Sequence, residues 1–288
     1  MGIILTKNTK LLIQGITGKE GLRATKNIIN SGIEVIAGVT PTKGGQEAEG
    51  KPVYDSVAEA KKQHPEINTT VIFAPPLQAY DATSEAIANN IETIILIPEN
   101  IPQQHTAKLI KKAKQKNITI IGPPTVGIIV PEIGMITAGG EEINYKKGEV
   151  GIISKSGGMT NETAELIMQK GKGISTAICI GGDPLIGSTY VDIIKLFEKD
   201  NETKEIVIYG EIGGTYEEEL AEYIKKNGQI KPISIYISGE FAQTLTRNMA
   251  LGHAGAILQE GKGTAQDKKK ILKEAGIKVV EYHHELGG

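Results

Sequence analysis

The sequence predicts an α/β protein built from two doubly wound, mostly parallel sheets. Three observations carry this reading. Short apolar runs alternate with helix-length segments along almost the whole chain, the alternation breaks once near the middle, and glycine gathers where apolar runs end. At 288 residues the chain is also long for a single core and suits two domains.

Residues 11–14, 34–39, 70–74, 93–97 and 118–121 read as buried parallel strands, with helical spacing of apolar residues at 83–89 and 104–116. Gly122-Pro123-Pro124 and the stretch 131–148 then lose periodicity and are rich in glycine and proline. The domains are therefore placed at 1–130 and 131–288. A second series follows, with strands expected at 150–153, 175–180, 205–209, 232–237 and 277–280. Helices are expected at 160–169, 190–198, 217–226 and 265–274. Lys268-Lys269-Lys270 reads as a solvated helix face.

A formal net charge of −2 gives no electrostatic reason to expect nucleic acid or an anionic membrane as partner. No apolar run approaches the roughly 18 residues needed to span a bilayer, and no charged-then-apolar leader opens the chain, so a cytoplasmic location is expected. The single cysteine, Cys179, lies in an apolar run and reads as a small core residue. Glycine is the outlier: 35 of 288 residues, about 12% against a usual ~7%.

Some of that glycine has a chemical reading. Leu11-Leu12-Ile13-Gln14-Gly15-Ile16-Thr17-Gly18-Lys19-Glu20-Gly21 is a strand, a glycine turn and a helix start. Free N–H groups at such a helix start bind a phosphate anion, although glycine there also serves plain turn chemistry. A nicotinamide-binding domain would place Asp or Glu at the tip of the second strand. Here the tip reads Gly38-Val39-Thr40-Pro41-Thr42-Lys43-Gly44-Gly45, with a cation instead of a carboxylate. Lys43 is either a solvated loop residue or the partner of an additional phosphate, such as the 3′-phosphate of coenzyme A.

Among five histidines, His64 and His105 lie in polar, helix-like surroundings and read as surface residues, and His283-His284 has no partner cluster for a metal. No metal is expected on this chain. His253 sits among small residues in Leu251-Gly252-His253-Ala254-Gly255-Ala256-Ile257. It is either a satisfied core histidine or a phosphoryl acceptor with room for phosphorus beside its ring. Two segments favour the second reading. Ile208-Tyr209-Gly210-Glu211-Ile212-Gly213-Gly214 puts a carboxylate just after a strand, able to fix an imidazole tautomer or to serve as a helix N-terminal acid. The strand–turn–helix run Ile153-Ser154-Lys155-Ser156-Gly157-Gly158-Met159-Thr160 offers a second anion site, drawing on Ser154, Ser156 and Gly157.

In that order, residues 15–21, 39–45, Gly181-Gly182-Asp183-Pro184, 210–214 and 252–257 resemble motifs of succinyl-CoA synthetase α subunits. The last two resemble the wider acyl-CoA synthetase (nucleoside-diphosphate-forming) superfamily, which includes ATP-citrate lyase. The resemblance implies a Rossmann-like coenzyme-A-binding domain followed by a flavodoxin-like parallel-sheet ligase domain. By motif, Thr17, Gly18, Lys19 and Glu20 would cradle coenzyme A, with Lys43, Ile97, Pro98 and Glu99 assisting. His253 would become phosphohistidine, oriented by Glu211. Succinate or succinyl-CoA and phosphate would be the small partners. An ATP-grasp β subunit would supply the Mg-nucleotide site, for which this chain has no Gly-x-x-x-x-Gly-Lys-Ser/Thr loop.

Three departures stand out. Asn161 occupies a place where many bacterial α subunits have a tyrosine in contact with the dicarboxylate. Gly122-Pro123-Pro124-Thr125 lacks the asparagine of the family's loop near the expected thiol, and the sequence ends at Gly288, before a closing helix found in relatives. A ligase or lyase subunit for citrate or acetate is therefore an alternative. Another is a coenzyme-A-binding regulatory module without turnover, although such a sensor needs neither His253 nor Glu211. A serine hydrolase on Ser156 lacks the Gly-x-Ser-x-Gly spacing.

Overall fold

Leu11, Leu12 and Ile13 are all fully buried, as a strand covered on both faces requires. Alternation sends them opposite ways: Leu11 and Ile13 pack with Ala24 and Ile28, and Leu12 with Ala37, Ala79 and Leu109. The computed structural model describes residues 2–138, 145–240, 253–256 and 263–288. Its first half runs β1 (Lys10–Gln14), α1 (Lys19–Asn30), β2 (Glu34–Val39), β3 (Glu47–Ala48), β4 (Lys51–Tyr54), α2 (Val57–Gln63) and β5 (Thr69–Ile72). It continues with α3 (Pro76–Ala88), β6 (Thr93–Leu96), α4 (Gln103–Gln115) and β7 (Thr119–Ile121).

The sheet order is β3-β4-β2-β1-β5-β6-β7. Apart from β3, which pairs antiparallel with β4, every pairing is parallel. Counting the parallel strands by chain order gives 3-2-1-4-5-6, the Rossmann arrangement, whose crevice opens where β1 is flanked by β2 and β5.

The second half runs β8 (Gly127–Val130), β9 (Gly134–Thr137), β10 (Lys147–Ser154), α5 (Gly157–Gln169), β11 (Ile174–Cys179), α6 (Tyr190–Lys199) and β12 (Glu205–Glu211). It ends with α7 (Tyr216–Asn227), β13 (Ile233–Ser238), α8 (Ala265–Glu274) and β14 (Lys278–Val280). The order β14-β13-β12-β10-β11-β8-β9 contains the flavodoxin-like 5-4-3-1-2 parallel set. Its switch point lies at β10, between β11 and β12. Ile153 packs toward Ile193, Ile194 and Phe197, and Ile152 toward Ala164 and Ile167. The cluster holding Ile153 is continuous with that of Leu11, so hydrocarbon packing joins the two halves.

Two expectations need correction. The stretch 131–148, expected to lose periodicity, contains β9, which forms a hairpin with β8 just ahead of it, and β8 pairs antiparallel with β11 of the second sheet. The chain thus changes sheets between Ile121 and Gly127, ahead of the expected boundary at 130/131. Four-residue strands beside Pro131 and Gly134 are too short to display a period.

The lysine run is also not a solvated face. Lys268 is fully buried, donating to Glu217 Oε2 (2.6 Å) and Glu218 Oε2 (2.8 Å). Lys269 is buried against Glu281 (2.8 Å) and Glu240 (3.3 Å), and only Lys270 is exposed. Burial would raise the Glu217 carboxyl, but Lys155 and Lys268 hold it below its ordinary value. Removing Lys268 strands Glu217 in the core. Lys268→Ala is therefore expected to cost about 3–5 kcal/mol in urea unfolding, with Lys270→Ala near neutral.

Candidate functional site

The first site is the crevice at the carboxyl end of β1. The turn after Gln14 is tight: a Cβ on Gly21 would lie 2.2 Å from the Gly15 carbonyl oxygen, so only glycine lets α1 start this close to the strand. Gly18 is the N-cap of α1, and no side chain caps the helix there. The first-turn N–H groups are left for an anion, reinforced by the helix dipole. A cleft of about 800 Å³ opens beside them, lined by Gly15, Thr17, Gly18, Thr40, Lys43 and Phe73 among others. The Thr17 hydroxyl donates to Thr40 Oγ1 (3.1 Å), tying the loop after β1 to the loop after β2. Lys43 stands exposed on a turn fastened by its own N–H to the Thr40 carbonyl (3.1 Å) and by Gly44 N–H to Asp55 (2.7 Å). Volume, an uncapped helix start and an exposed cation at the rim fit a phosphorylated, elongated ligand such as coenzyme A.

Lys19 and Glu20 are exposed at the helix start, with Glu20 paired to Arg23 (2.5 Å). Ile97, Pro98 and Glu99 follow β6 and do not line this cleft. The charge of Glu99 acts instead on Asp183 and His253 of the second domain.

The second site lies at the carboxyl edge of the second sheet. His253 Nδ1 is 2.8 Å from Glu211 Oε2, at the end of β12. The ring is about one-third exposed and the carboxylate nearly buried. The other ring face rests on the loop after β11: a Cβ on Gly182 would lie 2.5 Å from His253 Cγ, and Gly255 N–H donates to the Gly182 carbonyl (2.9 Å). His253 is thus held at one nitrogen and one face, and Nε2 has no hydrogen-bond partner among the described residues. Gly252 and Ile257 of the motif lie outside the described residues.

Lys155 is a functional residue the sequence reading passed over. It is fully buried, with Nζ 3.6 Å from Glu211 Oε1 and 3.9 Å from Glu217 Oε1, over the ring of Tyr216. Glu211 Oε1 has no hydrogen-bond partner among the described residues, so this ion pair is its compensation. Glu217 also accepts from Tyr190 (3.1 Å) and Lys268. Charges alternate from His253 through Glu211, Lys155 and Glu217 to Lys268. The Glu211 hydrogen bond holds the His253 pKa above its ordinary value, with burial opposing.

Between β11 and β12 in the sheet, β10 delivers the turn into α5. Ser156 is the N-cap of α5 and its side chain caps nothing. Gly158 faces open space, while Gly157 packs close to Val126. Ser154 is buried, and its hydroxyl donates to the Ser156 carbonyl (2.7 Å) and accepts from Ser156 N–H (3.1 Å). It shapes the turn, and the N–H groups of the first turn of α5 lie beyond it. Asn161, one turn further, accepts from the Tyr145 hydroxyl (2.7 Å), a partner not foreseen from sequence. Burial, then Glu165, pushes that phenol up to about 12. His64 and His105 are half-buried against Tyr54 and Tyr80, not simply on the surface.

A crevice beside an uncapped helix start, a carboxylate-held histidine and a second uncapped helix fit a two-domain coenzyme-A-binding protein. Comparison with known proteins agrees. Residues 6–100 match the CoA binding domain and residues 153–286 the CoA-ligase family. The chain is 41% identical to the ADP-forming sulfoacetate-CoA ligase subunit SqwL of Acholeplasma sp, over all of this chain and 96% of that protein. It is 40% identical to the succinate–CoA ligase [ADP-forming] α subunit of Staphylococcus epidermidis, over all of this chain and 93% of that protein. Among solved structures, the ATP citrate lyase of Methanothrix soehngenii, in complex with citrate and coenzyme A, superposes with a TM-score of 0.89 at 29% identity. It covers 98% of this chain, which spans about half (49%) of that one. The chain belongs to the CoA-ligase family of the NDP-forming acyl-CoA synthetase superfamily. No helix is long and apolar enough to cross a membrane among the described residues.

Two outcomes follow from this geometry. NMR titration should give His253 a midpoint above the ordinary ~6.5, and Glu211→Gln should lower it, because the lost carboxylate favours the imidazolium. Lys43→Ala should weaken coenzyme A binding about tenfold by calorimetry, while binding of 3′-dephospho-coenzyme A stays unchanged.

Proposed function

We propose that this chain is the α subunit of an ADP- or GDP-forming succinate–CoA ligase, active only with an ATP-grasp β subunit that brings the Mg-nucleotide. The observation that carries this reading is the 2.8 Å contact between His253 Nδ1 and Glu211 Oε2. With Nδ1–H donated to the carboxylate, Nε2 carries the free lone pair and faces phosphorus. In the thioester-consuming direction, phosphate at the α5 helix start attacks the acyl carbon, the carbon–sulfur bond breaks, and an acyl phosphate forms as coenzyme A leaves with the electron pair. His253 Nε2 then takes the phosphoryl group, releasing the acid, and passes it to the nucleoside diphosphate. Glu211 stabilises the imidazolium character that develops at each transfer, and Lys155 pairs with Glu211 from within the core. Coenzyme A supplies the thiol that carries the acyl group, held by Thr17, Gly18, Lys19 and Lys43 at the first crevice. Dependence on a partner is supported by the relatives, which are named as subunits.

A second reading is a ligase for another small acid. It is favoured by the sulfoacetate–CoA ligase relative at comparable identity, and by Asn161 engaged with Tyr145 where many bacterial α subunits carry tyrosine.

Incubation of the αβ complex with [γ-32P]ATP or GTP should label the chain with an acid-labile, base-stable adduct. His253→Asn should abolish it, and Glu211→Gln should slow it about 100-fold. Discharge of the adduct with coenzyme A and succinate, sulfoacetate or citrate chooses the acid. A wild-type complex that takes no label would leave a coenzyme-A-binding module without turnover.

A further inference from the structure

The loop after β11 carries a carboxylate that the histidine chemistry does not use. Asp183 is only 9% exposed and takes no part in the His253–Glu211 contact. Its position is fixed from two sides. Tyr216 donates to the Pro184 carbonyl (3.0 Å) and accepts from Ile186 N–H (3.2 Å), and Gly187 N–H donates to the Gly122 carbonyl (2.7 Å) in the loop after β7. The loop is therefore pinned between α7 and the first domain. On the other side, Gly182 supports the His253 ring, and Gly255 packs against the Asp183 carbonyl. The charged groups acting on Asp183 are Glu99, from the loop after β6, and His253. Burial and then Glu99 raise its carboxyl to about 6, with His253 opposing. Asp183 is thus a carboxyl group poised near neutral pH, at the junction of the coenzyme-A-binding domain and the histidine site.

We propose that Asp183 is a catalytic residue of the thioester-forming step, its carboxylate taking the proton of the incoming thiol. This rests on the acid–CoA ligase reading above. The S–H proton passes to Asp183 as sulfur forms a bond to the acyl carbon. The carbon–oxygen bond to phosphate then breaks, and phosphate leaves with the electron pair. In the reverse direction phosphate attacks the thioester, and protonated Asp183 returns its proton to the departing sulfur. A group titrating near 6 serves both directions, being largely ionised at neutral pH and still able to carry a proton. Glu99 sets that balance from across the domain junction.

The test separates the half-reactions in the αβ complex. Asp183→Asn should keep 32P-labelling of His253 and the hydroxylamine-trapped acyl hydroxamate formed from ATP and succinate without coenzyme A, both within about threefold. Thioester formation should fall about 100-fold or more, lose its rise with pH near 6, and recover in part in Asp183→Glu. Without coenzyme A, 13C NMR of Asp-labelled protein should lose a carboxyl titration near 6 in Asp183→Asn, and Glu99→Gln should move that titration down. Thioester formation at the wild-type rate in Asp183→Asn would overturn the proposal. So would loss of histidine labelling together with thioester formation, which marks a structural role. Absence of label and hydroxamate in the wild-type complex would instead strike the ligase reading itself.

Discussion

The hydrogen bond between His253 Nδ1 and Glu211 Oε2 is the interaction on which the rest depends. It joins a residue that has no regular strand or helix of its own to the last residue of β12. It also decides which ring nitrogen is free. A carboxylate nearly buried at this depth is costly unless compensated, and Lys155, Glu217 and Lys268 behind it form the alternating charges that meet the cost. Among the described residues these groups form one chain of charges that reaches the surface at the imidazole and, past Lys268, at Glu218. Tyr190 and Tyr216 line it, so burial serves orientation as well as stability.

Topology explains why each half carries a crevice followed by an uncapped helix start. Each sheet opens a crevice where the strand order reverses, at β1 in one and at β10 in the other. Each crevice is followed by a helix whose N-terminus no side chain caps. The continuous apolar cluster and the contacts of residues 122–125 with the second sheet, such as Thr125 to the Cys179 carbonyl (2.5 Å), fix the two edges relative to one another. Glu99 illustrates the result: it belongs to the first domain by sequence and acts electrostatically on the second.

Much of this was legible in the sequence. Strands buried on both faces are unbroken runs of Ile, Leu and Val, and the glycine turns at 15–21 and 181–182 mark close approaches. The pairing of His253 with Glu211 was also expected, because a small-residue turn and a strand-end carboxylate are local signals. What escaped was long-range or short. Helix α3 starts at Pro76, well before the expected residue 83, because a proline that punctuates most segments is tolerated in a first helical turn. The β8–β9 hairpin is too brief to show a period. Lys155, Lys268 and Asp183 look like ordinary surface charges along the chain, and only folding brings their partners from 50 to 84 residues away. Buried charge has no sequence signature of its own, since the same lysine run that solvates most helices lines a core here.

The most direct measurement is 15N–31P NMR of the phosphorylated αβ complex with 15N-labelled histidine. Phosphorus bonded to Nε2 of His253, with Nδ1 still protonated and hydrogen-bonded, is the result required by the Glu211 contact. Phosphorus on Nδ1, or on any residue other than His253, would contradict it.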